Sequence, residues 1–313
     1  MRFWWVNHKK TSKHELAGDF LWAPMLKANG ARNHFYDNMR KASPGDWVIS
    51  YSHTEVRHIG VVVDFAIPAP KPASFKAAGD YWNQSGWLLP VSWKKLRSAV
   101  KPKLMIDHLR NLLPSKYSPL SRITGNGVQN AYLAEIEGAV FELVIGPDES
   151  VNPITEAKSI DQVLTNIDDD IEHSALSEAN LSSTIKHGVV AARRGQGLFR
   201  KQVYEFEKSC RLTKICTLGL LVASHIKPWR LCDNAFERLD GANGLLLAPH
   251  VDLLFDRGFV SFTDDGDVLV SSKIATLDLE RLGLTHACAQ QTGGFAQRQK
   301  FYLEYHRAKV FIS

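Results

Sequence analysis

The chain has 313 residues, more than one hydrophobic core usually organises, so two domains are expected. With 44% hydrophobic and 23% charged residues it is too apolar to be disordered, and no apolar run is long enough to cross a bilayer. The formal charge is +5, yet residues 147–181 hold nine acidic residues against the single Lys158, a local −8 that leaves +13 elsewhere. A basic body with one acidic segment suits a binder of polyanions. The four cysteines, Cys210, Cys216, Cys232 and Cys288, form no CxxC pair, which argues against a zinc ribbon and a disulfide framework. The first residues hold no signal peptide, so a cytoplasmic, reduced protein is expected.

Seven of the eight tryptophans lie in the first hundred residues, which marks a separate N-terminal region. Its β-branched and aromatic runs predict strands over residues 1–6, 46–51, 59–65, 87–91, 132–136 and 140–145. The Pro-rich stretch 67–72 cannot be a central strand, and the clearest helix pattern covers 104–113. Many short strands predict a small β-barrel over 1–147. Residues 148–188 read as an acidic helical linker, because Ile160, Val163, Leu164, Ile167 and Ile171 share one helix face. The third region, 189–313, opens with a basic loop entering an amphipathic helix over 193–206. An apolar stretch of strand character follows over 212–223, ending at Ser224-His225. Pro249 suits the first turn of a helix, Asp264-Asp265-Gly266 suits a hairpin turn, and a helix closes the chain over 297–311. The fold class is therefore α+β.

Phosphodiester cleavage needs a base to make hydroxide and a cation to neutralise charge on the phosphorus centre and the leaving oxygen. A strand ending in His225, then Asn243, then a helix carrying His250 and Asp252 can supply both. His225 is the candidate catalytic base, Asn243 would orient it or pin its loop, and His250 and Asp252 are the metal-ligand candidates. Two residues apart, His250 and Asp252 point to different sides of a helix, and an oxygen donor suits Mg²⁺ better than an imidazole, which favours Asp252.

The segments Ser224-His225-Ile226-Lys227-Pro228-Trp229, Asn243-Gly244-Leu245-Leu246-Leu247 and Pro249-His250-Val251-Asp252-Leu253-Leu254-Phe255-Asp256-Arg257-Gly258 closely resemble the second HNH endonuclease family. The resemblance covers about residues 190–312 and implies a ββα-metal nuclease domain using Mg²⁺ or Mn²⁺. Many HNH proteins place an acidic or histidine ligand just before the base, where this chain has Ser224, so a catalytically silent domain is one alternative. The N-terminal region resembles the EVE branch of the PUA-like barrels. The matching residues include Val6-Asn7-His8-Lys9, Leu21-Trp22-Ala23-Pro24, Ala28-Asn29-Gly30-Ala31-Arg32-Asn33, Pro44-Gly45-Asp46 and Lys116-Tyr117-Ser118-Pro119-Leu120.

Together the two resemblances imply a modification-dependent restriction endonuclease that acts on double-stranded DNA such as phage DNA. The barrel would read a flipped 5-methyl- or 5-hydroxymethylcytosine and the HNH domain would cut, as a homodimer if both strands are to be cleaved together. Flipping costs a few kcal/mol, and aromatic stacking returns about 1–3 kcal/mol per base. Pro24, Trp82 and Tyr132, with Trp22 behind, are the expected base pocket. Lys9, Asn29, Arg32, Asn33, Asn126 and Gln129, with Arg194, Gln196 and Arg200 beside the nuclease core, are the expected DNA contacts. RNA is the alternative polymer, since PUA-like barrels also bind it. The acidic linker would also cover the basic nuclease face until the reader is engaged.

Overall fold

A computed structural model describes residues 1–146, 160–177, 181–193 and 196–313, with the side chains of 160–166 outside that description. Two compact units, Met1–Ile167 and Asp168–Ser313, divide the chain inside the helix Ile160–Ser177. Among the described residues no helix is long and apolar enough to cross a membrane.

The first unit is built on seven strands: β1 (Phe3–Asn7), β2 (Phe20–Pro24), β3 (Trp47–Ser52), β4 (Glu55–Val62), β5 (Ile67–Pro70), β6 (Ser85–Val100) and β7 (Leu133–Ile136). Their order is β2-β6-β4-β3-β1-β7, with β5 also paired to β6. Only β1 and β3 run parallel. The 16-residue β6 pairs with β2 and β5 through residues 85–90 and with β4 through residues 91–100. A strand that changes partners along its length must bend, and the sheet curls into a half-barrel. Period-two alternation then places Trp4 and Val6 of β1 with Leu21 and Ala23 in one core, and Trp5 with Ile49 and Leu109 in another.

Two expectations for this unit change. Residues 140–145, read as a strand, lie in the helix Gly138–Ile145, which buries Val140 and Val144 and sets Phe141 against Phe3 and Trp47. A short continuous apolar run does not distinguish strand from helix by periodicity, and here the i, i+4 spacing found a surface to cover. The helix expected over 104–113 is reduced to Ile106–Leu109 after a 3₁₀ turn at Pro102–Met105. The prolines of β5 sit on a strand paired only to β6, where a missing N–H does no harm.

The second unit is mostly helical. The Ser183–Arg193 and Gly197–Phe206 helices precede the ribbon of β8 (Val222–His225) and β9 (Gly244–Leu247), paired Ser224 to Leu245 and His225 to Gly244. The helix Pro249–Asp256 follows at once, with Pro249 in its first turn. Strands β10 (Val260–Phe262) and β11 (Val268–Val270) form the expected hairpin, its turn carrying Gly266 at φ +94°. The closing helix Gln297–Tyr305 runs into a π-helical turn at His306–Val310. Strand character expected from residue 212 starts only at Val222: Leu218–Leu220 is a 3₁₀ turn, and Leu218 and Leu220 are exposed with no partner strand. The core joins Phe199 and Val203 to Leu245, Leu247, Val251, Phe255, Phe262 and Leu303.

The helical reading of the linker agrees with Ile160–Ser177, although Ile160, Val163 and Leu164 have side chains outside the described residues. Ile167 packs beside Phe20 and Trp22, and Ile171 packs on the core of the second unit.

Candidate active site

His225 ends β8 and is 8% exposed. Its ring lies flat on Phe199, with centroids 3.8 Å apart and planes 6° apart. Nε2 lies 2.9 Å from the Arg238 carbonyl, which can only accept, so the ring proton sits on Nε2. Nδ1 then carries the lone pair and makes no hydrogen bond among the described residues. Burial lowers the His225 pKa to about 4, against the opposing pull of the Arg238 carbonyl. The imidazole is therefore neutral at ordinary pH, with one nitrogen free to take a proton.

Asn243 is fully buried behind it. Its Oδ1 accepts from the Lys227 amide at 2.8 Å, and its Nδ2 donates to the carbonyls of Lys227 at 3.3 Å and Glu237 at 3.2 Å. One side chain thus ties both ends of the loop between the ribbon strands. The residue after Glu237 is Arg238, whose carbonyl holds His225, so Asn243 positions the base through the loop.

The helix Pro249–Asp256 presents Asp252 and Asp256, four residues apart and hence on one face. Ser224, the residue before His225, donates to Asp256 Oδ1 at 3.2 Å, with Asp252 nearby. Burial raises the Asp252 carboxyl, and the Ser224 hydroxyl opposes the rise. Desolvation and then the Asp252 charge push the Asp256 carboxyl upward, opposed by the Arg230 charge, the Ser224 hydrogen bond and the Arg257 charge. A pair of mutually repelling carboxylates gains by taking up a cation. His250 is half-buried, about 200° around the helix from Asp252, and makes no hydrogen bond with a described residue. Among the described residues no cluster of three or more His, Cys, Asp or Glu side chains could hold a metal. The donors at hand are two carboxylates and a hydroxyl, all oxygen, which fits a hard cation completing its shell with water and substrate oxygens.

Asp256 was not anticipated as a site residue. Its signal was available in the i, i+4 spacing from Asp252, but only the fold brings Ser224, thirty-two residues away, against it.

The other expected contacts fall into three kinds. Trp22 and Trp82 stack, with centroids 6.3 Å apart and planes 22° apart. Gly79, at φ +72°, lies so close beneath Trp82 that a Cβ would come within 2.1 Å of its ring. Pro24 is on the same strand two residues from Trp22. Tyr132 packs instead against the core that holds Leu21 and Ala23, meets Tyr36 edge-on, and its hydroxyl accepts from the Trp22 amide at 3.1 Å. The structure brings three of the four together and sets the Tyr132 ring on the other face of β2.

Lys9, Asn126, Gln129 and Gln196 are exposed. Asn29 bends back to accept from the Ala31 amide, and exposed Arg32 pairs with Asp37 at 3.1 Å. Asn33 is buried and caps the His34–Asp37 turn by accepting from the Phe35 amide. The Arg200 guanidinium donates to the carbonyls of Leu218 and Leu221, so it pins the turn before β8. Arg194 lies outside the described residues.

Residues 210–263 match the HNH endonuclease family HNH_2. The chain therefore carries an HNH endonuclease domain there, spanning the ribbon, Asn243 and the acidic helix. No curated protein matches the chain. Among solved structures it is similar to proteins of three bacteria. One from Rhodopseudomonas palustris is 18% identical over 46% of this chain and 91% of that one, with a TM-score of 0.31. One from Pseudomonas syringae is 13% identical over 45% and 98%, at 0.28, and one from Pseudomonas putida is 9% identical over 45% and 95%, at 0.29.

Proposed function

We propose that this chain is a metal-dependent DNA endonuclease that reads a modified cytosine with its N-terminal unit. The observation that carries the nuclease reading is His225: neutral, tied at Nε2 and free at Nδ1, one residue from a serine hydrogen-bonded to Asp256, which shares a helix face with Asp252. A Mg²⁺ or Mn²⁺ ion held by Asp252 and Asp256 would neutralise charge on the phosphate and leaving oxygen. His225 Nδ1 would take the proton of the attacking water, and Arg238 and Asn243 would keep the ring in that tautomer. Ser224, in place of a charged ligand before the base, is answered by Asp256, a carboxylate bonded to that serine. This favours an active domain over a silent one.

For the reader, half-buried Trp82, backed by the buried Trp22, would supply the aromatic surface for a flipped 5-substituted base. A buried methyl contributes about 0.8 kcal/mol, so discrimination by the pocket alone would be modest. The likeness of the first region to EVE barrels supports the choice of base. The exposed Lys9, Asn126 and Gln129 would meet backbone phosphates.

The test uses matched plasmids carrying cytosine, 5-methylcytosine or 5-hydroxymethylcytosine, with Mg²⁺ or Mn²⁺ and with His225→Ala in parallel. Cleavage confined to modified DNA and lost in the variant is expected. Equal cleavage of all three would remove the modified-base reading and keep the nuclease, and cleavage of RNA in preference to DNA would replace the substrate.

A further inference from the structure

Among the cationic side chains of the second unit, five near the ribbon or the acidic helix Ile160–Ser177 are held in three ways. Arg200 and Arg238 donate to backbone carbonyls, which stay in place whatever binds. Lys227 is buried on its own loop between Asp233 and Glu237. Arg230 and Arg193 are held differently, by carboxylates of the acidic helix. Arg230 meets Asp168 with two nitrogens, Nε to Oδ1 at 3.0 Å and Nη2 to Oδ2 at 3.4 Å. Arg193 Nη1 meets Asp169 at 2.7 Å and Glu172 at 2.8 Å, with Asp168 4.0 Å from its Nε. These arginine side chains are only 18–22% exposed, yet the carboxylates they grip stand on one short stretch of helix at i, i+1 and i+4.

Arg230 lies five residues beyond His225, in the 3₁₀ turn Trp229–Leu231 on the loop between the ribbon strands. A guanidinium gripping two oxygens of one carboxylate has the geometry with which it grips a phosphate. Three acidic side chains spaced along a helix present to these arginines what successive DNA phosphates would present.

We propose that Arg230 and Arg193 are phosphate-gripping residues of the nuclease site, and that Asp168, Asp169 and Glu172 occupy them as phosphate stand-ins until DNA displaces the acidic helix. The inference rests on the nuclease reading of the site. It adds two substrate contacts and an intrinsic competitor, and it concerns phosphates, so it applies to modified and unmodified DNA alike.

The test measures binding of a 30-base-pair unmodified duplex to the full chain in EDTA, where nothing is cut. Asp168→Asn, Asp169→Asn and Glu172→Gln together should tighten binding about tenfold, and Arg230→Gln with Arg193→Gln should abolish that gain. Asp169→Asn alone, at a 61% exposed side chain whose loss the fold tolerates, should tighten binding by a smaller factor. Arg230→Lys keeps the charge but loses the fork and should fall between parent and Arg230→Gln. If the neutralised variants melt earlier and bind no more tightly, the acidic helix is only a structural fastening and the proposal is overturned. Because the readout is binding without metal, a protein that never cleaves DNA would defeat the nuclease reading while leaving this result to stand or fall on its own.

Discussion

The two units each bury a histidine whose ring nitrogens are both used, and the second buries one more whose ring is only half used. In the first, His8 uses both ring nitrogens, with Nδ1 2.7 Å from Glu15 and Nε2 2.8 Å from Ser50. Glu15 in turn accepts from Thr11, from the Trp22 amide and from the Tyr132 hydroxyl, so the two oxygens serve four donors. This network ties β1, β2, β3 and the strand end before β7 together, and nothing in it is left over for chemistry. In the second unit His306 is equally committed, to Ser261 at 2.9 Å and to the Phe255 carbonyl at 3.0 Å, while its ring stacks on Phe255. His225 has the same stacking on a phenylalanine and the same bond to a carbonyl, and one nitrogen unused. A buried polar group is normally satisfied, and the unused nitrogen of His225 is the one the proposed nuclease chemistry would employ.

If that contrast is correct, the largest effect of any single substitution should come at His225. His225→Ala is expected to lower DNA cleavage by about 10²–10⁴-fold, measured as nicking of supercoiled plasmid with saturating Mg²⁺ or Mn²⁺. Duplex binding should persist, and a parallel loss of binding would mean the histidine is structural like His306. The carboxylates come next. Asp252→Asn or Asp256→Asn should lower cleavage about tenfold to a hundredfold and raise the metal concentration needed for half-maximal rate, whereas His250→Gln should change little. A His250 variant with the larger defect would reassign the metal to that side of the helix.

In the first unit the contrast predicts stability effects without chemistry. Glu15→Gln leaves an amide facing donors and should cost about 2–3 kcal/mol in denaturant unfolding. A neutral outcome would show the network to be less tightly coupled than its geometry indicates.

The smallest expected effect is in pH dependence. Burial lowers His306 to about 3 and His225 to about 4, each below its unfolded value near 6.5. Between these limits the unfolded chain binds protons that the folded unit refuses, so stability falls as pH drops from about 6.5 toward 4. His306→Gln should flatten that slope in thermal melts taken from pH 7 to 4. An unchanged slope would place the acid sensitivity elsewhere.

Much of the site was legible because its chemistry is local. Ser224-His225, Asn243 and the Pro249 helix are short segments whose residue types and order define a task, and their local conformations agree with it. The β-branched runs likewise announced β1, β3, β4, β6 and β7. β2 was missed because Phe20–Pro24 is apolar throughout, with no alternation to read, and its burial on both sides explains that pattern. Residues 140–145 were misread for the same reason: an unbroken apolar run states that it will be buried, and the surface it meets decides its form.

Composition and local pattern therefore predicted a basic α+β chain with an acidic helical segment, and the resemblance of short segments to an HNH family pointed to the nuclease domain now matched at residues 210–263. Which nitrogen of His225 is free depended on a carbonyl thirteen residues away, and which carboxylate joins Asp252 depended on Ser224. The pairing of Asp168 with Arg230, sixty-two residues apart, depended on folding as well. These contacts turn on directions and distances between side chains far apart in the chain, which residue order does not encode until the backbone has closed around them.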